Sequence, residues 1–233
     1  MRPSPFVHDR HADRCFFAFD MFGTLAVNLI GTTAPIFDRM CQYYPGVPPE
    51  NLLKEYDKIK REFVSGSRDR ELPLGDIIRR LDSVFGFGND PDAMEQPMLR
   101  DTHVYGPAPG AEDALRYLKD NDYRIGVLSN SRYSGTTLRA MLDDYGLSRY
   151  IDVVVTSADL GVRKPNRFVF DQICQRLGTD LRHCFYCGDN PAKDYYGPLQ
   201  AGMRGAVLID PDMGYPVRFK IERIGDLPSL FTE

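Results

Sequence analysis

The stretch Cys15-Phe16-Phe17-Ala18-Phe19-Asp20-Met21-Phe22-Gly23-Thr24-Leu25 decides the fold. Five consecutive apolar residues suit a strand buried on both faces, as strands of parallel sheets are. The run ends on a carboxylate and a Gly-Thr turn. Open α/β sheets bind ligands at the carboxyl ends of their strands, so Asp20 sits where a nucleophile would be poised.

Three further segments follow in order. Tyr123-Arg124-Ile125-Gly126-Val127-Leu128-Ser129-Asn130 reads as a strand ending in a hydroxyl residue, and Gly161-Val162-Arg163-Lys164-Pro165 offers a lysine just ahead of a helix. Phe185-Tyr186-Cys187-Gly188-Asp189-Asn190-Pro191-Ala192-Lys193-Asp194 reads as a strand releasing two acids. From about Phe16 to Ile209 the chain resembles the haloacid dehalogenase (HAD) superfamily of hydrolases. That family's phosphatases read Asp-x-Asp-Gly-Thr in the first motif, where this chain has Phe22 in place of the second acid.

Strand-like runs at Arg124–Leu128, Asp152–Thr156, Cys184–Cys187 and Gly205–Ile209 join Phe16–Phe19, and helical periodicity fills the gaps between them. Five strands alternating with amphipathic helices predict an α/β, Rossmann-like parallel core. Between Asn28 and Tyr105 the strands stop. Ile36/Phe37/Met40/Cys41/Tyr44, Leu52/Tyr56/Ile59/Phe63 and Ile77/Ile78/Leu81/Val84/Phe85 mark three helices, and a fourth, less regular one lies around Ala93–Tyr105. The expected organisation is a loose tail over 1–14, a core from 15–27 and 106–233, and an inserted all-helical cap over 28–105. Gly31 and Gly106-Pro107-Ala108-Pro109-Gly110 bound the insertion and read as hinges. Its place directly after the first motif matches the superfamily's helical cap.

Composition narrows the function further. The chain has 233 residues, a formal net charge of −4 and a pI of about 5.6, so no general basic face for nucleic acid is apparent. No eighteen-residue apolar stretch occurs, which disfavours a membrane span and makes the cytoplasm the default location. Five scattered cysteines fit reduced thiols. In a strand, Cys184 and Cys187 would point to opposite faces, and no second pair completes a zinc site. His8, His11, His103 and His183 are too dispersed to suggest a metal cluster, with only His103 near a domain junction. The basic cap residues Lys54, Lys58, Lys60, Arg61, Arg68, Arg70, Arg79 and Arg80 read mainly as solvated helix faces.

The resemblance assigns chemistry. Asp20 would be the nucleophile and Lys164 would neutralise the charge building across from it. Pro165 would keep Lys164 out of helical geometry and begin the following helix. Ser129, with backbone N–H groups around Asn130, and Thr24 would hold phosphoryl oxygens. Asp20, Asp189 and the main-chain carbonyl of Phe22 would bind Mg²⁺, and Asp194 would orient Lys164 or a metal-bound water. In the family's phosphatases the residue at position 22 protonates the leaving group and activates water, a step worth roughly 10²–10⁴ in rate that Phe22 cannot supply.

The motifs pull in different directions. The family's 2-haloacid dehalogenases carry an aromatic residue at position 22, but they have serine where Asp189 stands and tyrosine where Phe170 stands. Phosphonate hydrolases of the family lack the second acid yet need a cap lysine, for which Lys54, Lys58 or Lys60 could be offered. The expected function is a Mg²⁺-dependent phosphatase of a small phosphorylated molecule. A dehalogenase or phosphonate hydrolase, and a catalytically impaired metal- and phosphate-binding regulatory protein, stand as alternatives.

Overall fold

The computed structural model describes residues 15–29, 36–64, 69–102 and 104–231. The expected tail, Gly31, Arg68 and His103 lie outside them, as do His8 and His11. Eight strands occur among the described residues: β1 (Phe16–Phe19), β2 (Ala26–Asn28), β3 (Tyr105–Pro107), β4 (Arg124–Ser129), β5 (Val153–Thr156), β6 (Cys184–Gly188), β7 (Gly205–Ile209) and β8 (Lys220–Ile221). Six of them form one parallel sheet in the order β5-β4-β1-β6-β7-β8. From β1 the chain builds outward to β4 and β5, then returns to the other side of β1. The carboxyl ends of β1, β4 and β6 therefore meet at a topological switch point, the place where such sheets bind ligands.

Burial on both faces explains why the strands read as unbroken apolar runs. Phe17 and Phe19 of β1 share one buried cluster with Ile125, Val127, Phe185 and Cys187, while Phe16 and Ala18 join Leu128, Val155, Cys184 and Tyr186 on the other face. Cys184 and Cys187 are thus split between faces, and all five cysteines are free. Phe17 is the hub of the first face, its ring 4.8 Å from Phe19 and 5.9 Å from Phe185.

The insertion carries α1 (Ile36–Met40), α2 (Pro49–Val64), α3 (Leu74–Phe85) and α4 (Pro91–Thr102). The last is weakly patterned in sequence because Pro97 lies inside it. Helices α5 (Ala111–Asp120) and α6 (Gly135–Asp144) then cover the first face of the sheet, and α7 (Ser157–Leu160) follows β5. Helices α8 (Arg167–Leu177) and α9 (Gly197–Ala201) cover the second face.

Three short strands escaped the sequence. Strand β8 has only two residues, and β2 pairs antiparallel with β3 in a separate ribbon. Asn28 and Tyr105, the expected ends of the insertion, are register partners there. Gly106 and Pro107 belong to β3 and the Ala108 N–H donates to the Leu25 carbonyl at 2.9 Å, so this segment is paired backbone.

The insertion is docked through both apolar and polar contacts. Leu52, Tyr56, Ile77, Leu81 and Met98 share one buried cluster with β1. Glu95 of α4, itself buried, accepts from the Ser134 N–H at 2.8 Å, the Ser134 hydroxyl at 2.6 Å and the Thr137 hydroxyl at 2.8 Å. A carboxylate at the start of α6 complements the positive end of that helix.

Removing the hub ring should cost about 3–5 kcal/mol, the range for aromatic-to-alanine changes in a closed core. Urea unfolding of Phe17→Ala tests this, and a loss under about 1 kcal/mol would mean that Phe17 is not the hub of the first face.

Candidate active site

Asp20 is the first residue beyond β1, and its N–H still donates to the Cys187 carbonyl at 2.9 Å. The ladder fixes the backbone at the point where the carboxylate leaves the sheet. The chain then turns sharply, with the N–H groups of Leu25 and Ala26 both donating to the Met21 carbonyl at 2.9 Å. Gly23 makes this turn at φ +83°, and a Cβ there would lie 2.2 Å from Asp189 Oδ2. Only glycine lets the Asp20 turn and the Asp189 carboxylate come so close.

Lys164 projects between the strand ends and is almost wholly enclosed. Its Nζ lies 2.9 Å from Asp20 Oδ1 and 2.7 Å from Asp194 Oδ1, and it donates to the Tyr186 hydroxyl at 2.8 Å. Tyr186 in turn donates to the Leu128 carbonyl at 2.8 Å. Asn130 clamps the lysine loop from β4: its Oδ1 accepts from the Lys164 N–H at 2.7 Å and its Nδ2 donates to the Lys164 carbonyl at 3.0 Å. The Lys164-Pro165 bond is cis. Contrary to the expectation from the sequence, Pro165 does not begin a helix. Helix α8 starts at Arg167, and the Asn166 side chain caps it by accepting from the Phe168 N–H at 3.0 Å.

Ser129, the last residue of β4, and Thr24 are both 1% exposed at the same end of the sheet. Asn130 offers a side-chain clamp that the sequence did not suggest. Phe22 is half-buried with its ring centroid 4.7 Å from that of Tyr105, so an aromatic pair occupies the neighbourhood of the missing acid. Phe170 is fully buried on α8 against Tyr186, at 5.5 Å between ring centroids. Lys54, Lys58 and Lys60 are exposed on α2, and the last two pair with Glu55 and Asp57, which removes the support for a cap lysine in the site.

The electrostatics are unbalanced. Carboxylate oxygens of Asp20, Asp189 and Asp194 all lie within 4.8 Å of one another, around the buried ammonium of Lys164, with the charge of Lys193 also acting on Asp189. Burial works against the charge on Lys164, but Asp20 and Asp194 outweigh it and raise its pKa. Burial pushes Asp194 up to about 6, with the charge of Asp20 adding and Lys164 pulling back. Burial and the Asp20 charge raise Asp189 as well, although by surface area this residue is exposed. Burial, with the charges of Asp194 and Asp20, holds the Tyr186 phenol well above its usual pKa, so it stays neutral and able both to donate and to accept.

Two buried oxygens of this site, Asp20 Oδ1 and Thr24 Oγ1, lack a hydrogen bond. Oδ1 of Asp20 nonetheless has a charged partner, the Lys164 ammonium at 2.9 Å. Buried polar groups are nearly always satisfied, so the partnerless Thr24 hydroxyl suits a ligand oxygen, and the clustered carboxylates suit a cation. Hard divalent cations take such oxygen donors. The sequence pointed to all three carboxylates and Lys164 but not to Tyr186. The available signal was a tyrosine in an otherwise apolar strand, since a buried phenol needs a partner.

The family model of haloacid dehalogenase-like hydrolases matches residues 16–202. The chain belongs to this family. It is 31% identical over 121 residues to a glyceraldehyde 3-phosphate phosphatase of Methanothermobacter thermautotrophicus, a match covering 51% of each chain. It is 33% identical over 98 residues to the pyrimidine 5'-nucleotidase YjjG of Escherichia coli, covering 42% of each. These matches span about half the length of the relatives or less. A 2-haloacid dehalogenase from Pseudomonas syringae pv. tomato superposes with a TM-score of 0.64 at 22% identity, covering 94% of this chain and 98% of that one. At that identity the likeness concerns the fold.

A raised carboxylate pKa contributes stability below the unfolded value that is lost as pH climbs through the folded one. For Asp194 that window runs from its ordinary 3.8 to about 6, and the raised Asp189 acts in the same sense. Asp189→Asn should therefore stabilise the metal-free protein at pH 7, by on the order of half a kcal/mol once solvent screening of an exposed group is allowed for. It should also remove most of the stabilisation that MgCl₂ gives the parent. Melts with and without MgCl₂ test both; equal gains from Mg²⁺ in parent and variant would refute the shared cation site.

Proposed function

We propose that this chain is a Mg²⁺-dependent phosphatase of a small phosphorylated molecule, with Asp20 as the nucleophile. The observation that carries the reading is three clustered carboxylates facing one buried ammonium. A dehalogenase needs no such excess of negative charge, whereas a phosphatase handles a cation together with a phosphoryl group. The phosphatase and nucleotidase among the similar proteins lend support on the substrate class. Among the described residues no helix is long and apolar enough to cross a membrane. We place the chain in the cytoplasm with no nucleic-acid partner.

Asp20 attacks phosphorus, the bond to the leaving oxygen breaks, and the phosphoryl group is transferred to the carboxylate. Ser129, Thr24 and backbone N–H groups near Asn130 donate to its oxygens while Lys164 offsets the charge gathering there. Asp20, Asp189 and the Phe22 carbonyl would hold Mg²⁺, which supplies further neutralisation of the phosphoryl oxygens. Water then attacks phosphorus, releasing phosphate and restoring Asp20.

Phe22 offers no proton to the leaving oxygen and no base to the water. The enzyme should favour substrates whose leaving groups depart without help, and turn over slowly on the rest. Phe22 also gives the carbon–halogen reading its one point of support, and metal dependence separates the two.

Phe22→Asp should raise Mg²⁺-dependent hydrolysis of alkyl phosphates by up to ~10²-fold, the lower end of general acid–base catalysis, and raise it less for an activated aryl phosphate. Asp20→Asn should abolish both activities. Steady-state assays of phosphate esters and of chloroacids, with and without Mg²⁺, decide the matter. Metal-independent release of chloride with no phosphatase activity would overturn the proposal.

A further inference from the structure

The cap reaches both loops of the site through one side chain. Glu71, in the segment joining α2 to α3, is 3% exposed. Its Oε2 accepts from Arg163 Nη1 at 2.7 Å and from the Ser157 hydroxyl at 2.7 Å, and its Oε1 accepts from the Leu72 N–H at 3.1 Å. Arg163 immediately precedes Lys164. Ser157 Oγ in turn accepts from the Ser131 N–H at 2.9 Å, two residues beyond Ser129. One cap carboxylate therefore holds the lysine loop and the serine loop together.

The backbone reinforces the link. Glu71 N–H donates to the Gly161 carbonyl at 3.0 Å and Arg163 N–H to the Asp69 carbonyl at 2.7 Å, with an antiparallel bridge between Arg70 and Val162. A glutamate at this depth needs charged and hydrogen-bonding partners, and its charged partner Arg163 and its hydroxyl partner Ser157 both belong to the core. Separating cap from core would strand it. The docked state thus keeps both loops aligned.

The geometry points to Glu71 as a positioning residue: docked, the cap adds its own hold on the Ser129 and Lys164 loops through the Glu71–Arg163–Ser157 network, so the two loops are fully aligned beneath the cap. This rests on the proposed roles of Ser129 and Lys164. Displacing reacting groups by about 1 Å costs up to about 10²-fold, so the effect belongs in kcat more than in KM.

Two readouts on the full chain test it, each taken where circular dichroism finds parent and variant equally folded. Hydrogen exchange reports the alignment directly: Glu71→Ala should speed exchange of the Ser131 and Arg163 amides. In Mg²⁺-dependent hydrolysis of an aryl phosphate, Glu71→Ala should lower kcat by roughly 10- to 100-fold with KM within about threefold, and Glu71→Gln should restore part of it. Unchanged exchange in both loops, or faster exchange with kcat within twofold of the parent, overturns the inference. Failure of the parent to turn over any phosphate ester would instead sink the phosphatase reading, and exchange alone would then decide the positioning role.

Discussion

The burial of one ammonium governs this structure. Lys164 has given up its water for Asp20, Asp194 and Tyr186, and such a charge persists in a protein interior only when its partners are fixed. The surrounding fold supplies those fixed points. Asp20 is held by the last rung of the β1 ladder, Tyr186 by the carbonyl of Leu128, and Asp194 by the Asn190 N–H on its Oδ2 at 3.0 Å. The third carboxylate, Asp189, is brought against this group by the bare backbone of Gly23. Gly188 does the same for Asp194, since a Cβ there would lie 2.5 Å from the Asp194 Cβ.

An arrangement of this kind favours function over stability. Three carboxylates around one buried cation leave a surplus of negative charge, and burying unbalanced charge costs stability. The surplus is what a divalent cation would relieve. Phe22 departs from this polar design and packs on Tyr105 at the ribbon. Recognition of the substrate is thus separable from assistance to its leaving group, and a chain can keep the first while lacking the second.

Much of this was legible in the sequence. The strands announced themselves because a parallel sheet buried on both faces requires unbroken apolar runs, and Phe16–Phe19 and Gly205–Ile209 have the same bounds in the structure. Asp20, Lys164, Asp189 and Asp194 stood out because they lie in segments that resemble the superfamily's motifs in the family's order. What the sequence hid is pairwise. Glu71 meets Arg163 across 92 positions and Asn130 meets Lys164 across 34, and no periodicity links residues that far apart. Short elements were lost for a related reason, since the two residues of β8 carry no alternation to detect.

The central claim is that Asp20 becomes phosphorylated, and it can be examined chemically. Enzyme quenched during Mg²⁺-dependent turnover of an aryl phosphate should carry an acyl phosphate, which borohydride reduces so that residue 20 appears as homoserine in peptide mass spectra. The account predicts that conversion at Asp20 and at no other acid of the cluster. Steady turnover with Asp20 unmodified, or homoserine at Asp189 or Asp194, would contradict it.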